Sequence, residues 1–454
     1  MTRPELVPVA FVDEGLGNSS YLLDIGDGRC LVVDPARDAT PYLAAAERAG
    51  LSIAYTVETH LHADFLTGSR ELAARGATVL ASRAAGIEWP HRGFGDGDEL
   101  DLGGTRLQAI ATPGHTPEHL SWLLADGDRP VSLFSGGALL VDAVARTDLI
   151  APDQTEPLAR AMWRSLHERI LCLPDAVAVY PTHGAGSFCA APASGTRVTT
   201  IGRERAANPL LAAPDEDAFV ARLAAGYGTY PRYFLRLRER NRCGPAVLGS
   251  PFPPLPVLDA DDVRHRVDEG AVIVDARPVS SWAAGHIRGA AAIPLRPQFG
   301  SWLGWLVADD RTLVFVVDHG QDPGDLVRQA RTIGYDHLAG VTPGETDAWR
   351  EAGLAVASTE LLDVHNVDRV VIDVRQADEH ALGHIPAALH VELGDIARRA
   401  SALPSGPLAV MCAHGERAAS AASVLEQVGR SNVAVVIGGP DDWVAGGGTL
   451  ATGP

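Results

Sequence analysis

The stretch Thr59-His60-Leu61-His62-Ala63-Asp64-Phe65 contains two histidines separated by one residue and followed by an aspartate. It comes directly after residues 53–58, whose composition is typical of a strand. A strand that ends in such a turn can present imidazole and carboxylate groups to one metal ion. The stretch alone is weak evidence, because a few polar loop residues match it by chance. The site prediction therefore depends on whether further ligands follow downstream.

Two later turns each carry a histidine. Thr112-Pro113-Gly114-His115 is a turn with the histidine at its apex, and Pro181-Thr182-His183 follows a predicted buried strand. Either histidine alone would more often be a structural loop residue than a ligand. The ordered set is more informative and predicts one metal centre. Its candidate ligands are His60, His62 and His115, with Asp64 and His183 as further candidates.

Length and composition indicate a multidomain globular protein. The chain has 454 residues, enough for about three domains, with 46% hydrophobic and 21% charged residues. Its formal charge of −19 argues against a nucleic-acid partner or an anionic membrane, because the net field repels both. The five cysteines form no C-x-x-C pair, and residues 1–5 show no apolar signal region. We therefore expect a reduced, cytoplasmic protein.

The chain is predicted to contain three α/β domains. Residues 1–245 alternate short apolar runs with helical stretches, and residues 246–256 form a Pro-rich linker. The remainder, 257–355 and 358–454, is a duplication of about a hundred residues. Its shared features are Asp275-Ala276-Arg277 with Gly285-His286-Ile287, and Asp373-Val374-Arg375 with Gly383-His384-Ile385. Alternating strands and helices in each copy predict a parallel sheet.

A second candidate site is a cysteine loop in the second repeat. An apolar strand ends at Cys412, the loop residues Ala413, His414, Gly415, Glu416 and Arg417 follow, and a helix is predicted over Ala418 to Gly429. Backbone N–H groups of such a loop, next to a helix N-terminus, favour a thiolate or persulfide. Cys30 and Cys172 lie in apolar runs and are predicted to be core residues. Cys189 could line the metal pocket, although packing is the favoured role.

The first 200 residues resemble the metallo-β-lactamase superfamily, whose motif is T-H-x-H-x-D-H. Within it, Leu66-Thr67-Gly68-Ser69 and Ala145-Arg146-Thr147-Asp148 resemble the persulfide dioxygenases. That resemblance implies an αββα sandwich and one iron held by His60, His115 and an aspartate. It also makes Arg146 a candidate for orienting the substrate's anionic end, although the arginine could instead pair with an acidic neighbour.

Two positions depart from the family pattern. Phe65 stands where the motif has its last histidine, and the family's Phe-x-Gly-Asp segment here ends in Gly137. Three alternatives follow for the metal site. His60, His62 and His115 could form a three-histidine site, as in a catalytic zinc site. His60 and His115 could bind Fe(II) weakly, with Asp64, water or an anion supplying the missing charge. The domain could also have lost its metal and serve as a scaffold.

The cysteine loop resembles the active loop of rhodaneses, C-x-x-G-x-R. This implies sulfane-sulfur transfer through Cys412 and Arg417. The first repeat has Val317 and Asp322 at these two positions, so a structural or docking role is predicted for it. The whole arrangement resembles persulfide dioxygenase–sulfurtransferase fusions. This resemblance implies low-molecular-weight thiol persulfides, thiosulfate or sulfite as substrates. It also implies a possible homodimer. The alternatives are a sulfur-relay protein without turnover and a mononuclear metallohydrolase.

Overall fold

The computed structural model describes residues 6–190 and 195–453. Residues 1–5, which underlie the expectation of no signal region, lie outside the described residues. The chain divides into two compact units, Met1–Pro253 with Arg331–Gly334, and Pro254–Ala330 with Tyr335–Pro454. No helix in the described part of the chain is long and apolar enough to span a bilayer.

The first unit contains two six-stranded sheets. The first sheet has the order β1 (Val9–Asp13), β2 (Asn18–Gly26), β3 (Arg29–Val33), β4 (Ser52–Val57), β5 (Thr78–Ser82) and β6 (Arg92–Phe94). The second sheet consists of β7 (Glu99–Asp101), β8 (Thr105–Ala111), β9 (Leu120–Asp126), β10 (Arg129–Gly136), β11 (Ala178–Pro181) and β12 (Thr199–Thr200). Its strands follow one another in the order β12-β11-β10-β9-β8-β7.

The two sheets pack face to face, and helices cover their outer faces. Leu31 and Leu80 of the first sheet share one buried cluster with Trp122 and Phe134 of the second. The helices are α1 (Thr40–Ala49), α2 (Ser69–Ala73), α3 (Thr155–Ser165), α4 (Ile201–Ala207), α5 (Glu216–Ala225) and α6 (Phe234–Cys243). Helices α1 and α2 pack on the first sheet, and α3 and α5 pack on the second. The predicted αββα sandwich is confirmed.

Local predictions in this unit have mixed outcomes. Strands β2 and β3 form the predicted antiparallel hairpin, and β4 leads into the histidine motif as expected. Where one helix is predicted over residues 155–171, the structure has an α-helix over Thr155–Ser165 that is followed by a π-helical segment over Leu166–Ile170. The prediction of Cys172 as a core residue is wrong, because Cys172 is exposed. The buried apolar side chains of this region are Leu166 and Ile170, which precede Cys172 in the π-helical segment.

The second unit contains two parallel sheets, as predicted. The first copy comprises α7 (Ala260–Asp268), β13 (Val272–Asp275), α8 (Val279–Ala284), β14 (His286–Ile287), β15 (Ala291–Ala292), α9 (Phe299–Leu306), β16 (Leu313–Val317), α10 (Pro323–Thr332), β17 (Leu338–Pro343), α11 (Thr346–Glu351) and β18 (Val356–Ala357). Its parallel sheet has the order β15-β13-β16-β17, and β14 pairs separately with β18.

The second copy repeats this plan. It comprises β19 (Leu361–Asp363), β20 (Val370–Asp373), α12 (Ala377–Leu382), β21 (Leu389–His390), α13 (Ile396–Arg399), β22 (Leu408–Met411), α14 (Glu416–Gln427), β23 (Val433–Ile437) and α15 (Pro440–Ala445). Its sheet has the order β19-β23-β22-β20-β21, with all pairs parallel.

The repeated Asp-x-Arg pattern is a buried structural clip. In the second copy, Arg375 Nη2 donates hydrogen bonds to Asp373 Oδ2 at 2.7 Å and to the Gly383 carbonyl at 2.8 Å. In the first copy, Arg277 Nη2 makes the equivalent bonds to Asp275 and Gly285 at 2.6 and 2.7 Å. The guanidinium therefore fixes the end of the central strand to the end of the helix that follows it.

We predict that Arg375→Ala destabilises the second copy strongly. Removing one partner leaves the buried Asp373 charge uncompensated, which costs about 3–5 kcal/mol. Urea denaturation of the full chain, followed by circular dichroism, should show a transition shifted to lower urea. Arg398→Ala is the matched control, because Arg398 is exposed in the same copy and pairs with Asp395 at the surface. Equal midpoints for the two variants would contradict the clip.

Candidate metal and thiol sites

Three histidines converge at the ends of strands from both sheets. His60 follows β4, His115 lies in the turn between β8 and β9, and His183 follows β11. Each is at most 3% exposed. One ring nitrogen from each lies within 4.8 Å of those of the other two, and the Nε2 atoms of His60 and His183 are 3.4 Å apart. The structure thus brings together one predicted pair, His60 and His115, with the further candidate His183.

The opposite ring nitrogen of each of these histidines has a hydrogen-bond partner. His60 Nδ1 lies 2.8 Å from Thr59 Oγ1, and His115 Nδ1 lies 2.6 Å from the Arg146 carbonyl. His183 Nδ1 lies 3.0 Å from Asn18 Oδ1. Each partner can accept a proton from Nδ1, so the Nε2 atoms carry the lone pairs. Metal-binding histidines in proteins are held in this way.

Burial keeps two of these imidazoles neutral. Burial, together with the neighbouring His62 and other histidines, lowers the pKa of His60 well below its usual value. Burial and the nearby His183 lower the pKa of His115 to about 3. Neutral imidazole is the form that binds metals. The arrangement of the residues therefore fits a single divalent metal ion.

His62 lies in a different group, with two carboxylates. Its Nε2 is 3.2 Å from Asp34 Oδ1 and 3.4 Å from Glu58 Oε2. Although burial opposes its charge, these two carboxylates raise the pKa of His62 to about 10. The ring of Phe65 stacks on His62 with a centroid distance of 4.2 Å. Phe65 therefore fills the position of the motif's last histidine with an apolar ring.

Asp34 is a site residue that the sequence analysis missed. It is completely buried and accepts hydrogen bonds from Thr59 N and Thr59 Oγ1, both at 2.7 Å, and from Thr182 Oγ1. Burial favours its neutral form, but His62 and these hydrogen bonds hold the pKa of Asp34 below its usual range. Its sequence signal is an aspartate directly after the apolar strand β3, which is the same pattern as the histidine motif.

Asp64 supports His183. Asp64 Oδ2 accepts a hydrogen bond from Asn18 Nδ2 at 2.8 Å and lies 3.3 Å from His183 Nδ1. Although burial opposes ionisation, His183 and Asn18 hold the pKa of Asp64 below its usual range. Its other oxygen, Oδ1, is buried and forms no hydrogen bond within residues 6–190 and 195–453. Asp64 also belongs to a second possible metal-binding group with His62 and His183.

Gly137 lies beside the histidine cluster, and His119 fixes its backbone. Gly137 N donates a hydrogen bond to His119 Nε2 at 3.0 Å, and His119 Nδ1 lies 2.8 Å from Thr112 Oγ1. Burial lowers the pKa of His119 well below its usual value. Both nitrogens of His119 are therefore engaged, so it acts as a support. The sequence analysis missed it, although it lies four residues after His115.

Arg146 is paired rather than free. Its Nε and Nη2 donate to the Asp148 carboxylate at 2.6 and 2.8 Å, and Nη2 also donates to the Gly228 carbonyl. Its guanidinium lies over the Tyr230 ring at 4.6 Å. This geometry matches the alternative in which Arg146 pairs with an acidic neighbour. A substrate-binding role for Arg146 stays a prediction. Its carbonyl oxygen meanwhile orients His115.

Helix α6 holds the loop that follows the histidine motif. Asn241 Nδ2 donates hydrogen bonds to the carbonyls of His62 and Phe65, both at 2.9 Å, and Asn241 Oδ1 accepts from Thr67 N at 2.9 Å. Asn241 is itself buried. The Asn241 side chain therefore fixes the loop that follows the histidine motif. The Arg-rich composition of its segment did not indicate this role.

The cysteine loop has the predicted strand–loop–helix geometry. Cys412 directly follows β22, is 1% exposed, and its Sγ accepts a hydrogen bond from Gly415 N at 3.1 Å. Gly415 has a φ of +105°, which favours glycine, and helix α14 begins at Glu416. Ala413 and His414 complete the loop, and His414 is exposed.

Arg417 is held next to this loop by partners from both repeats. Its Nη1 and Nη2 donate to the Glu379 carboxylate at 2.5 and 2.8 Å. Although burial opposes ionisation, the hydrogen bonds from Arg417 lower the pKa of Glu379. Trp302 of the first copy lies 5.7 Å from the guanidinium carbon, and Arg296 of the first copy lies 3.5 Å from Glu416. The first copy therefore contacts the active loop of the second.

The other cysteines have no comparable surroundings. Cys30 is buried in the core, as predicted. Cys189 is also buried, and burial raises the pKa of its thiol well above the usual value. Position 317 in the first copy is a valine at the end of β16, and Asp322 is exposed there. Cys412 is thus the candidate nucleophile of the described residues.

Comparison with known proteins identifies each part of the chain. Residues 13–183 match the metallo-beta-lactamase superfamily, and residues 259–352 and 358–446 each match the rhodanese-like domain. Mitochondrial persulfide dioxygenase ETHE1 of Homo sapiens is 33% identical over 196 residues, which are 42% of this chain and 70% of that protein. A hydroxyacylglutathione hydrolase of Methylococcus capsulatus is 34% identical over 173 residues, 37% of this chain and 62% of that protein.

A solved structure covers more of the chain. The crystal structure of a metallo-beta-lactamase from Staphylococcus aureus is 28% identical, with a TM-score of 0.66, and the match covers 75% of this chain and 99% of that one. These matches confirm the fold and the family predicted from the histidine motif and the cysteine loop. The chain belongs to the metallo-β-lactamase superfamily, in the family of the persulfide dioxygenase ETHE1, and it carries two rhodanese-like domains after that domain.

Proposed function

We propose that this chain is a persulfide dioxygenase–sulfurtransferase that transfers sulfane sulfur through Cys412. The observation that carries the proposal is the placement of Cys412 Sγ at the end of β22. There it accepts a hydrogen bond from the Gly415 N–H, and Arg417 follows in the first turn of α14. A thiolate and a persulfide are both stabilised by such donors and by a nearby cation. The chain's substrates would be low-molecular-weight thiol persulfides, thiosulfate and sulfite. A cytoplasmic location and a homodimer stay predictions.

The transfer would proceed in two balanced steps. The Cys412 thiolate attacks the outer sulfur of thiosulfate, a new S–S bond forms, and sulfite leaves with the electron pair of the broken S–S bond. An acceptor thiolate or sulfite then attacks the outer sulfur of the Cys412 persulfide and releases the Cys412 thiolate. The covalent intermediate divides one transfer into two displacements. The Gly415 N–H would stabilise the thiolate at the start and the end of this cycle.

The metal domain would carry out persulfide oxidation. When bound, Fe(II) supplies the activation of O₂ and a coordination position for the persulfide. His60, His115 and their hydrogen-bond partners would hold this ion, and the burial of the whole cluster would keep bulk water away. In the overall reaction, a thiol persulfide, O₂ and water give the thiol, sulfite and protons. Sulfite is in turn an acceptor for sulfur from Cys412.

We predict that thiosulfate modifies Cys412. After incubation, intact-protein mass spectrometry should show the mass of one added sulfur atom, and peptide mapping should place it on Cys412. Cys412→Ser should abolish both the adduct and sulfite release. Cys172→Ser and Cys243→Ser are matched controls, because these two cysteines are exposed, and both should retain the adduct. An adduct that persists in Cys412→Ser would exclude the proposed transfer.

Charge next to the thiol should control its reactivity. Arg417→Gln removes the positive charge, so alkylation of Cys412 by iodoacetamide at neutral pH should slow about tenfold, a usual effect of one nearby charge. Glu379→Gln removes the counter-charge that Arg417 now faces, so alkylation should become severalfold faster. The rates are measured by mass spectrometry of the Cys412 peptide. Shifts in the same direction for both variants would disprove this role of the ion pair.

Persulfide oxidation should be independent of the cysteine loop. Protein loaded anaerobically with Fe(II) should consume O₂ when glutathione persulfide is added, and Cys412→Ser should consume it at a similar rate. His115→Ala should lower the rate at least about 100-fold, because loss of a metal ligand costs more than the 10–100-fold typical of an outer-shell partner. Iron-loaded wild-type protein that consumes no O₂ would reduce the proposed function to sulfur transfer.

A further inference from the structure

We infer that His183 takes the place of the missing aspartate, so that His60, His115 and His183 form an all-imidazole metal site. This inference concerns the metal centre of the proposed function and rests on that function only in assuming a bound metal ion. His183 was a secondary candidate in the sequence, where His62 was preferred. The geometry reverses that preference.

The first argument is the position of the Nε2 atoms. One nitrogen each from His60, His115 and His183 lies within 4.8 Å of the others. A single ion at about 2.0–2.1 Å from each imidazole nitrogen holds two nitrogens at most about 4.2 Å apart, so small inward shifts of the rings complete the site. The Nδ1 atoms of all three face other hydrogen-bond partners. These hydrogen bonds hold the three rings and leave the three Nε2 atoms available to a metal ion.

The second argument is that position 137 has no room for a side chain. A Cβ atom at Gly137 would lie 2.6 Å from His115 Cδ2 and 3.1 Å from Ala145 Cβ. Distances this short require something to move. The His115 ring occupies the space that an aspartate side chain at position 137 would need. The observed position of His115 is therefore compatible with glycine and incompatible with aspartate at position 137. An aspartate introduced here would displace one ligand as it supplied another.

The third argument is charge. A site of three imidazole ligands contains no carboxylate to compensate the charge of a buried divalent ion. Asp64 Oδ2 lies 3.3 Å from His183 Nδ1, so a carboxylate lies directly behind this ligand. Carboxylate–histidine–metal arrangements increase the basicity of the imidazole. Asp64 thus supplies a negative charge behind the ligand His183, in place of the aspartate that is missing at position 137.

His62 lies against two carboxylates, although neither of its ring nitrogens makes a hydrogen bond to a described residue. Its Nε2 faces Asp34 and Glu58 at 3.2 and 3.4 Å, and its ring is stacked on Phe65. To bind the ion shared by His60 and His115, it would have to leave both carboxylates.

The test is metal binding without substrate, with Co(II) as the probe. Full-length protein should bind one Co(II) ion with visible absorption bands of a nitrogen-rich site. His183→Ala should lose at least about 100-fold in Co(II) affinity, and Asp64→Asn about 10–100-fold. Gly137→Asp should also bind more weakly than wild type. His91→Ala is the matched control, since His91 lies in the same unit outside the cluster, and should bind as wild type.

A second measurement uses only the unaltered protein, so it does not depend on the folding of variants. Proton NMR of the Co(II) form should show three strongly shifted, exchangeable N–H signals, one from Nδ1 of each ligand histidine. Two such signals, wild-type affinity in a folded His183→Ala variant, or tighter binding by Gly137→Asp would each overturn the inference. These readouts contain no persulfide or O₂, so failure of the dioxygenase function would leave them unchanged.

Discussion

The metal site depends on one buried carboxylate, that of Asp34. It accepts hydrogen bonds from Thr59, after β4 of the first sheet, and from Thr182, after β11 of the second. Each threonine immediately precedes a histidine of the cluster, His60 or His183. Asp34 therefore sets the distance between ligands that come from different sheets. It does so with a backbone φ of +48°, an uncommon conformation for a residue other than glycine.

This arrangement requires compensation for a buried negative charge. An ionised carboxylate away from water is costly unless it is paired and hydrogen-bonded. His62 is the nearest cation, and Glu58 lies on its other side. His62, the second histidine of the motif, thus stabilises Asp34, and Asp34 in turn supports the metal site. The same motif residue can bind metal or neutralise an anchor, and the surrounding carboxylates decide which.

Sequence patterns predicted the parts of the fold that depend on local chemistry. The tandem repeats and the Cys412 loop followed from strand ends and turns that carry their own signal, whereas the sandwich followed from the resemblance to the metallo-β-lactamase superfamily. The pairing of His183 with His60 did not, because it depends on Asp34 and Asn18, which lie far away in the sequence. The sequence also could not show that the His115 ring fills the space beside Gly137, because that contact exists only in the folded structure. Cys172 was wrongly assigned because an apolar run does not show which of its residues faces inward.

The two repeats separate the requirements of the fold from those of the chemistry. Both keep the Asp-x-Arg clip, so the clip belongs to the architecture. The cysteine and its arginine are present in one copy, while the other supplies Trp302 and Arg296 beside the active loop. A duplicated domain can therefore lose its nucleophile and still contribute to the surroundings of its partner's site. This gives the predicted structural role of the first copy a specific location.

The central claim is that one chain both oxidises persulfide and transfers sulfane sulfur. Its most direct test is the balance of sulfur products when iron-loaded protein reacts with glutathione persulfide and O₂. In Cys412→Ser the account predicts sulfite as the product, in proportion to the O₂ consumed. In the unaltered chain part of that sulfite should appear as thiosulfate, above the uncatalysed background. Identical products from both proteins, or no sulfite from either, would contradict the account.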